Sequence, residues 1–123
     1  MAVNIGGVNE SGVSMVFEDD TINISGSIDC LDPGAFMSPF LNEAHEFILE
    51  KLMKEVKVDI VKLNFLNSSG IKEFVEWIMK LEFLPEDQRY SIVFICNHEY
   101  LWQEPSIRTL AFLNPECVKM ELN

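Results

Sequence analysis

The chain has 123 residues, a length that suits one domain, and 48% of them are hydrophobic, enough for a packed core with no disulfide or metal staple. Asp and Glu number 20 against 9 Lys and Arg, so the formal net charge is −11. Phosphate backbones and anionic membrane surfaces need a basic footprint, so nucleic acid and lipid are excluded as expected partners and a basic protein surface is favoured. The start "MAVNIGGVNESG" lacks a charged residue leading into an apolar run, and no run is long enough to span a bilayer, so neither a signal peptide nor membrane insertion is expected. Cys30, Cys96 and Cys117 are odd in number, widely spaced and without C-x-x-C, which reads as reduced thiols in a cytoplasmic protein.

In chain order, residues 1–12 are rich in Gly, Asn and Ser and are expected to form a flexible lead-in, with the domain proper at 13–123. "VSMVFEDD" and "TINISGSID" are short, β-branched and partly alternating around acidic turn residues, a hairpin with Ile22, Ile24 and Ile28 facing the core. Pro33 offers one start to the first helical segment and Pro39, after Ser38 as a cap, a cleaner one, so the main helix is expected from about Pro39 to about Lys54. Phe40, Leu41, Ala44, Phe47, Ile48 and Leu52 form its apolar face, and Glu43, Glu46, Glu50 and Lys51 fall opposite. "VKVDIV" (56–61) is a strand. "GIKEFVEWIMKLEF" is a helix whose buried stripe is Ile71, Phe74, Val75 and Ile78. After the break "LPEDQR", "YSIVFIC" (90–96) is a buried strand, "EPSIRTLAFL" a short helix with Pro105 in its first turn, and "CVKMEL" a last strand. The order β-β-α-β-α-β-α-β implies a single α/β domain with a mixed, mainly parallel sheet and helices packed on it.

The segment "KLNFLNSSGIKEF" (62–74) carries the chemistry. It joins a strand to a helix, and functional sites gather at such carboxyl ends of parallel strands. Asn67, Ser68 or Ser69 can each cap the helix, and Gly70 permits close packing. A phosphoserine there would be stabilised by the helix N-terminus while repelling a partner docked over it. Spacing alone leaves both readings open, a cap or a switch.

"VDIVKLNFLNSSGI" resembles the signature of STAS domains, the family that includes bacterial anti-sigma factor antagonists. Asp59, Ile60, Leu63, Phe65, Leu66, Ser68, Ser69, Gly70 and Ile71 are in register with it, and upstream "ISGSID" resembles the family's second strand through Gly26 and Asp29. The resemblance covers roughly Thr21 to Leu122 and implies a non-enzymatic binding module in bacterial signal transduction and regulation of transcription. Its partner would be a serine kinase that doubles as an anti-sigma factor. Phosphorylation at Ser68 would release that partner, and a PP2C-type phosphatase would reset the site. Asn67, Ser69, Gly70, Gly26 and Asp29 would shape the partner-binding surface. Asn67 stands where the family usually has Asp. It keeps the capping ability and lacks the charge. The family's final helix is not evident after the last strand, which would leave an apolar groove for a partner or a second copy in a homodimer.

Other residues point to less. His45 and His98 have no Cys or His at ligand spacing, so no metal or other cofactor is expected, and His45 reads as a half-exposed surface residue. His98 follows a strand and could approach Ser68, but no G-x-S-x-G elbow supports a hydrolase. With no P-loop, ATP belongs to the partner. Asp29 and Asp32, just before the first helix, read as turn or cap residues, although the resemblance puts this loop on the partner-facing side, and Glu73, Glu76 and Glu82 read as a solvated helix face. Trp77, Phe83 and Trp102 cover the edge of the core or meet a partner. The second functional reading is a ligand-sensing or transporter-associated STAS subunit in which Ser68 is not phosphorylated.

Overall fold

In a computed structural model describing residues 5–10 and 12–123, the chain forms one six-stranded sheet whose strands lie side by side in sequence order. The strands are β1 (Ile5–Glu10), β2 (Val13–Glu18), β3 (Thr21–Ile28), β4 (Glu55–Leu66), β5 (Ser91–Cys96) and β6 (Val118–Leu122). The helices are α1 (Gly34–Glu50), α2 (Ser68–Glu82) and α3 (Gln103–Leu113). β1, β2 and β3 pair antiparallel, and β3 through β6 pair parallel.

Each βαβ step moves the sheet one strand in the same direction, so right-handed crossovers put all three helices on one face. Alternation then decides burial. Met15, Phe17, Ile22, Ile24, Val56, Val58, Ile60, Ile92, Phe94 and Cys96 are buried under the helices. Thr21, Asn23, Lys57, Asp59 and Ser91 lie on the opposite, partly exposed face. The layers join through Phe17 on Phe47 and Phe74 on Phe94, both edge-to-face at 5.7 and 5.5 Å. The helices bury Met37, Phe40, Leu41, Ala44 and Ile48 from α1, Phe74, Trp77, Ile78 and Leu81 from α2, and Ile107 and Leu110 from α3.

The order from Val13 onward is the one read from sequence, and three details differ. Ile5–Glu10, expected to be part of a flexible lead-in, form an antiparallel strand on β2, while 1–4 and 11 lie outside the described residues. The backbone edge of β2 supplies hydrogen-bond partners whatever side chains the incoming strand carries, so a Gly-rich composition hid it. α1 begins at Gly34, not near Pro39. Pro33 accepts from the amides of Phe36 and Met37, and both of those side chains are buried, which draws the first turn onto the core. Pro39 sits inside this helix on its exposed side, so the Ala35 carbonyl that Pro39 cannot serve faces water. α2 buries Trp77 and Leu81 more deeply than Ile71 and Val75, and Leu52 falls beyond α1 into solvent.

Candidate functional site

β4 outruns its neighbour. It pairs with β5 only as far as Asp59 opposite Ile95, and Ile60–Leu66 continue along β3 alone. Two register shifts against β3 bulge this extension, one between Asn23 and Ser25 and one between Gly26 and Ser27. Asp59 Oδ1 accepts from the Val61 amide at 3.0 Å and shapes the first bulge. The free edge would strand four backbone carbonyls, and side chains from the loop after β5 and the first residue of α3 serve all four. Asn97 Nδ2 donates to Val61 O at 3.0 Å, Trp102 Nε1 to Asn64 O at 2.6 Å, and Gln103 Nε2 to Ile60 O and Leu63 O at 2.7 and 2.9 Å. Gln103 is 0% exposed, and its Oε1 accepts from the Asn97 amide at 2.7 Å. Residues 97–103 thus replace a missing strand and hold the end of β4 where α2 begins.

That end is Asn67. Its amide donates to Ile28 O at 2.9 Å, its Nδ2 donates to Cys30 O at 2.8 Å, and its Oδ1 accepts from the Gly70 amide at 2.8 Å. Asn67 therefore caps α2 and ties it to the chain leaving β3. Gly70 is buried, and a Cβ there would fall 2.4 Å from Leu66 Cδ1 and 3.1 Å from Ile28 Cγ2. With the cap provided by Asn67, Ser68 and Ser69 occupy the first turn with exposed side chains, and neither hydroxyl is hydrogen-bonded among the described residues. No acidic residue lies in that first turn; exposed Lys72 and partly buried Glu73 follow one turn later.

Three exposed apolar side chains rim this end of the sheet. Leu31, next to the carbonyl that Asn67 binds, is 99% exposed, and Leu101, beside Trp102, is 86% exposed. Phe65 on β4 is 46% exposed. Asp29 is exposed at the end of β3, beside this rim. The structure thus brings Asn67, Ser68, Ser69, Gly70 and Asp29 to one end of the sheet. Gly26 lies inside β3 between Val13 and Leu63, at φ +98°, and a Cβ there would fall 1.8 Å from Gly12 O, so close backbone packing requires that glycine.

Other sequence readings change. His45 is buried, not half-exposed. Its Nδ1 meets Tyr90 Oη at 2.6 Å, and Trp77 Nε1 donates to the same oxygen at 2.7 Å. The indole N–H donates to the Tyr90 oxygen, and a Tyr90 hydroxyl donating in turn to His45 Nδ1 fits a neutral imidazole with its proton on Nε2. Burial, with the Lys80 ammonium nearby, lowers the His45 pKa, and burial raises that of Tyr90. Trp77 is therefore a core residue, whereas Phe83 is 83% exposed. Trp102 is partly buried and anchors β4. His98 is exposed, and its ring Nδ1 meets Asn123 O at 2.9 Å, not Ser68. Asp32 offers only its backbone carbonyl, to the Ala35 amide. Glu73 is partly buried, and burial with Glu76 beside it raises its carboxyl pKa. Among the described residues, no group of three or more His, Cys, Asp or Glu is placed to hold a metal, and no helix is long and apolar enough to cross a membrane. Sequence reasoning missed Asn97 and Gln103. The only signal was a polar pair in a loop that could equally have faced water.

No family model matches the sequence, and no curated protein matches it. Solved structures do match the fold. SiaC of Pseudomonas aeruginosa aligns over 100% of this chain and 99% of its own, with a TM-score of 0.61 and 14% identity. The complex of the diguanylate cyclase SiaD with its activator SiaC, from the same organism, gives a TM-score of 0.61 at 14% identity over 98% of this chain and 99% of the matched one. An anti-sigma factor antagonist from Mycobacterium paratuberculosis gives 0.50 at 17% identity over 97% and 86%. The chain has a divergent STAS-like fold.

Proposed function

We propose that the chain is a non-enzymatic regulatory module that binds a protein partner over the end of the sheet where α2 begins, and that phosphorylation of Ser68 releases that partner. A serine kinase of the anti-sigma type writes the mark and a PP2C-type phosphatase removes it. The observation that carries the reading is the division of labour at the helix start: Asn67 caps α2, leaving the Ser68 hydroxyl exposed and, among the described residues, without a hydrogen bond. A phosphate there carries about −1.5 to −2 charge, and the partial positive charge of a helix N-terminus favours it. The same charge opposes any partner that must bury the start of α2. Two similar structures lend support, since one protein is named for antagonising an anti-sigma factor and the other is described as the activator of a diguanylate cyclase.

The test uses wild type, Ser68→Ala and Ser68→Glu as baits in source-cell lysate, each checked for folding by circular dichroism. The reading expects a regulatory protein on wild type and Ser68→Ala and its loss from Ser68→Glu, together with phosphate on Ser68 in the native protein by mass spectrometry. Identical capture by all three folded baits sinks the switch and leaves a ligand-sensing or transporter-associated role, for which native mass spectrometry would find a bound metabolite.

A further inference from the structure

We infer that β6 is a self-complementary edge through which two copies of this chain join antiparallel, centred on Met120, into one continuous sheet. In the parallel pairing with β5, Cys117 O accepts from the Ile92 amide and the Asn123 amide donates to Cys96 O. Backbone groups of alternate residues point to alternate sides of a strand. Those of Val118, Met120 and Leu122 therefore point away from β5 and, among the described residues, have no strand to meet. A two-fold axis at Met120 sets Met120 against Met120 and Val118 against Leu122, each as a hydrogen-bonded pair. It also sets Lys119 against Glu121 on both sides of the axis. These are the non-hydrogen-bonded positions, where facing Cα atoms approach to about 4.5 Å and side chains are closest.

The charge pattern selects the occupant. "VKMEL" reads plus then minus about a central residue, so the antiparallel copy presents the opposite sign at each charged position. Lys119 and Glu121 are exposed, and the Lys119 ammonium meets only the Glu116 carbonyl, at 3.3 Å. On the helix side, Val118 is buried, Met120 is partly buried and Leu122 is 51% exposed. The same side carries Phe112 at the end of α3, 82% exposed and lining a cavity of about 300 Å³ with Ala111, Pro115, Val118 and Met120, rimmed by Arg108 and Lys119. The two-fold brings Leu122 of the second copy next to Val118, so it covers this apolar corner. A lone Lys on an edge often serves to block pairing. Here Glu121, two residues on, reverses that effect for a strand presenting the opposite sign at each position, as an antiparallel copy of β6 does.

The experiment is sedimentation equilibrium over a dilution series of wild type, Lys119→Glu, Glu121→Lys and the double exchange, at about 0.15 M salt. There the Debye length of about 8 Å screens repulsion between acidic copies more than contact pairs. The wild type is expected to dimerise reversibly. Each single change places like charges opposite one another twice per dimer and weakens association at least about tenfold, and the double exchange restores it. A wild type that stays monomeric throughout the series overturns the inference. So does a dimer indifferent to both single changes, or a double exchange that fails to restore it. Thermal melts of the four proteins keep any loss of folding separate from loss of pairing, and none of them touches Ser68.

Discussion

The side-chain amide of Asn67 donates to the Cys30 carbonyl at 2.8 Å while its oxygen caps the Gly70 amide at 2.8 Å. One residue thus closes the start of α2 and pins the segment leaving β3. An aspartate could make the second bond and not the first. Its carboxylate would face a carbonyl oxygen that already needs a donor. The chain therefore departs from the usual aspartate of the motif it resembles for a structural reason visible in its own geometry. Asn67→Asp is expected to lower stability by about 1–2 kcal/mol in urea unfolding, because the Cys30 carbonyl loses its partner. Equal or greater stability for the aspartate variant would show that the cap alone matters.

Gln103 holds three backbone groups from a fully buried position. Gln103→Leu keeps roughly the same volume and removes every bond, stranding the Ile60 and Leu63 carbonyls and the Asn97 amide. The expected loss is roughly 3–5 kcal/mol, since each buried unsatisfied group costs about 1–3 kcal/mol. Amide hydrogen exchange should accelerate at Asn97 and spread into the β4 extension. A loss below about 1 kcal/mol would mean that water replaces the glutamine.

His45 sets a pH limit. Its folded pKa is lowered, first by burial and then by Lys80. The unfolded chain therefore binds the proton more readily than the folded one. Its contribution to stability is fully present above the ordinary value of 6.5 and is lost as pH falls below it toward the folded pKa. Chemical denaturation between about pH 7.5 and 5 is expected to show stability declining on the acid side, and His45→Gln should flatten that limb. Glu73 works in a lower window with the opposite sign, because its raised pKa favours the folded state as its carboxyl takes up a proton. Unchanged stability across the histidine window would contradict the neutral His45 inferred from the Tyr90 and Trp77 contacts.

Leu52 ends α1 at φ 55°, a left-handed conformation costly for a branched side chain. The Leu52 amide donates to Leu49 O and the Met53 amide to Ile48 O, the bond pair of a helix end that usually carries glycine. The Leu52 side chain is mostly exposed, so little packing offsets the strain. Leu52→Gly is expected to stabilise the protein by roughly 0.5–1 kcal/mol, read as a higher melting temperature. A lower one would mean that Leu52 contributes contacts worth more than its backbone strain.

Local patterns were enough to read the strand and helix order from Val13 onward. Alternation in "TINI", the apolar run "SIVFIC" and the helical spacing of Phe74 and Ile78 are each set by burial of one face, and burial leaves its period in the chain. The same holds for "NSSG" as a helix start at the end of a strand. What the pattern could not carry were contacts between segments distant in sequence. The Gly-rich Ile5–Glu10 became a strand because β2 offered it a backbone edge. His45 was buried because Tyr90 and Trp77, from two other segments, placed a hydroxyl and an indole N–H around it. Gln103 entered the core because β4 overran β5 and left carbonyls to serve. Which residue of Asn67, Ser68 and Ser69 became the cap was likewise decided by the Cys30 carbonyl, 37 residues away in sequence. By itself the sequence determined where polar and apolar surfaces fall along each element. Only the tertiary structure decided which polar groups had their hydrogen bonds met inside the fold, and hence that the Ser68 hydroxyl was left exposed, because that depends on partners no local period encodes.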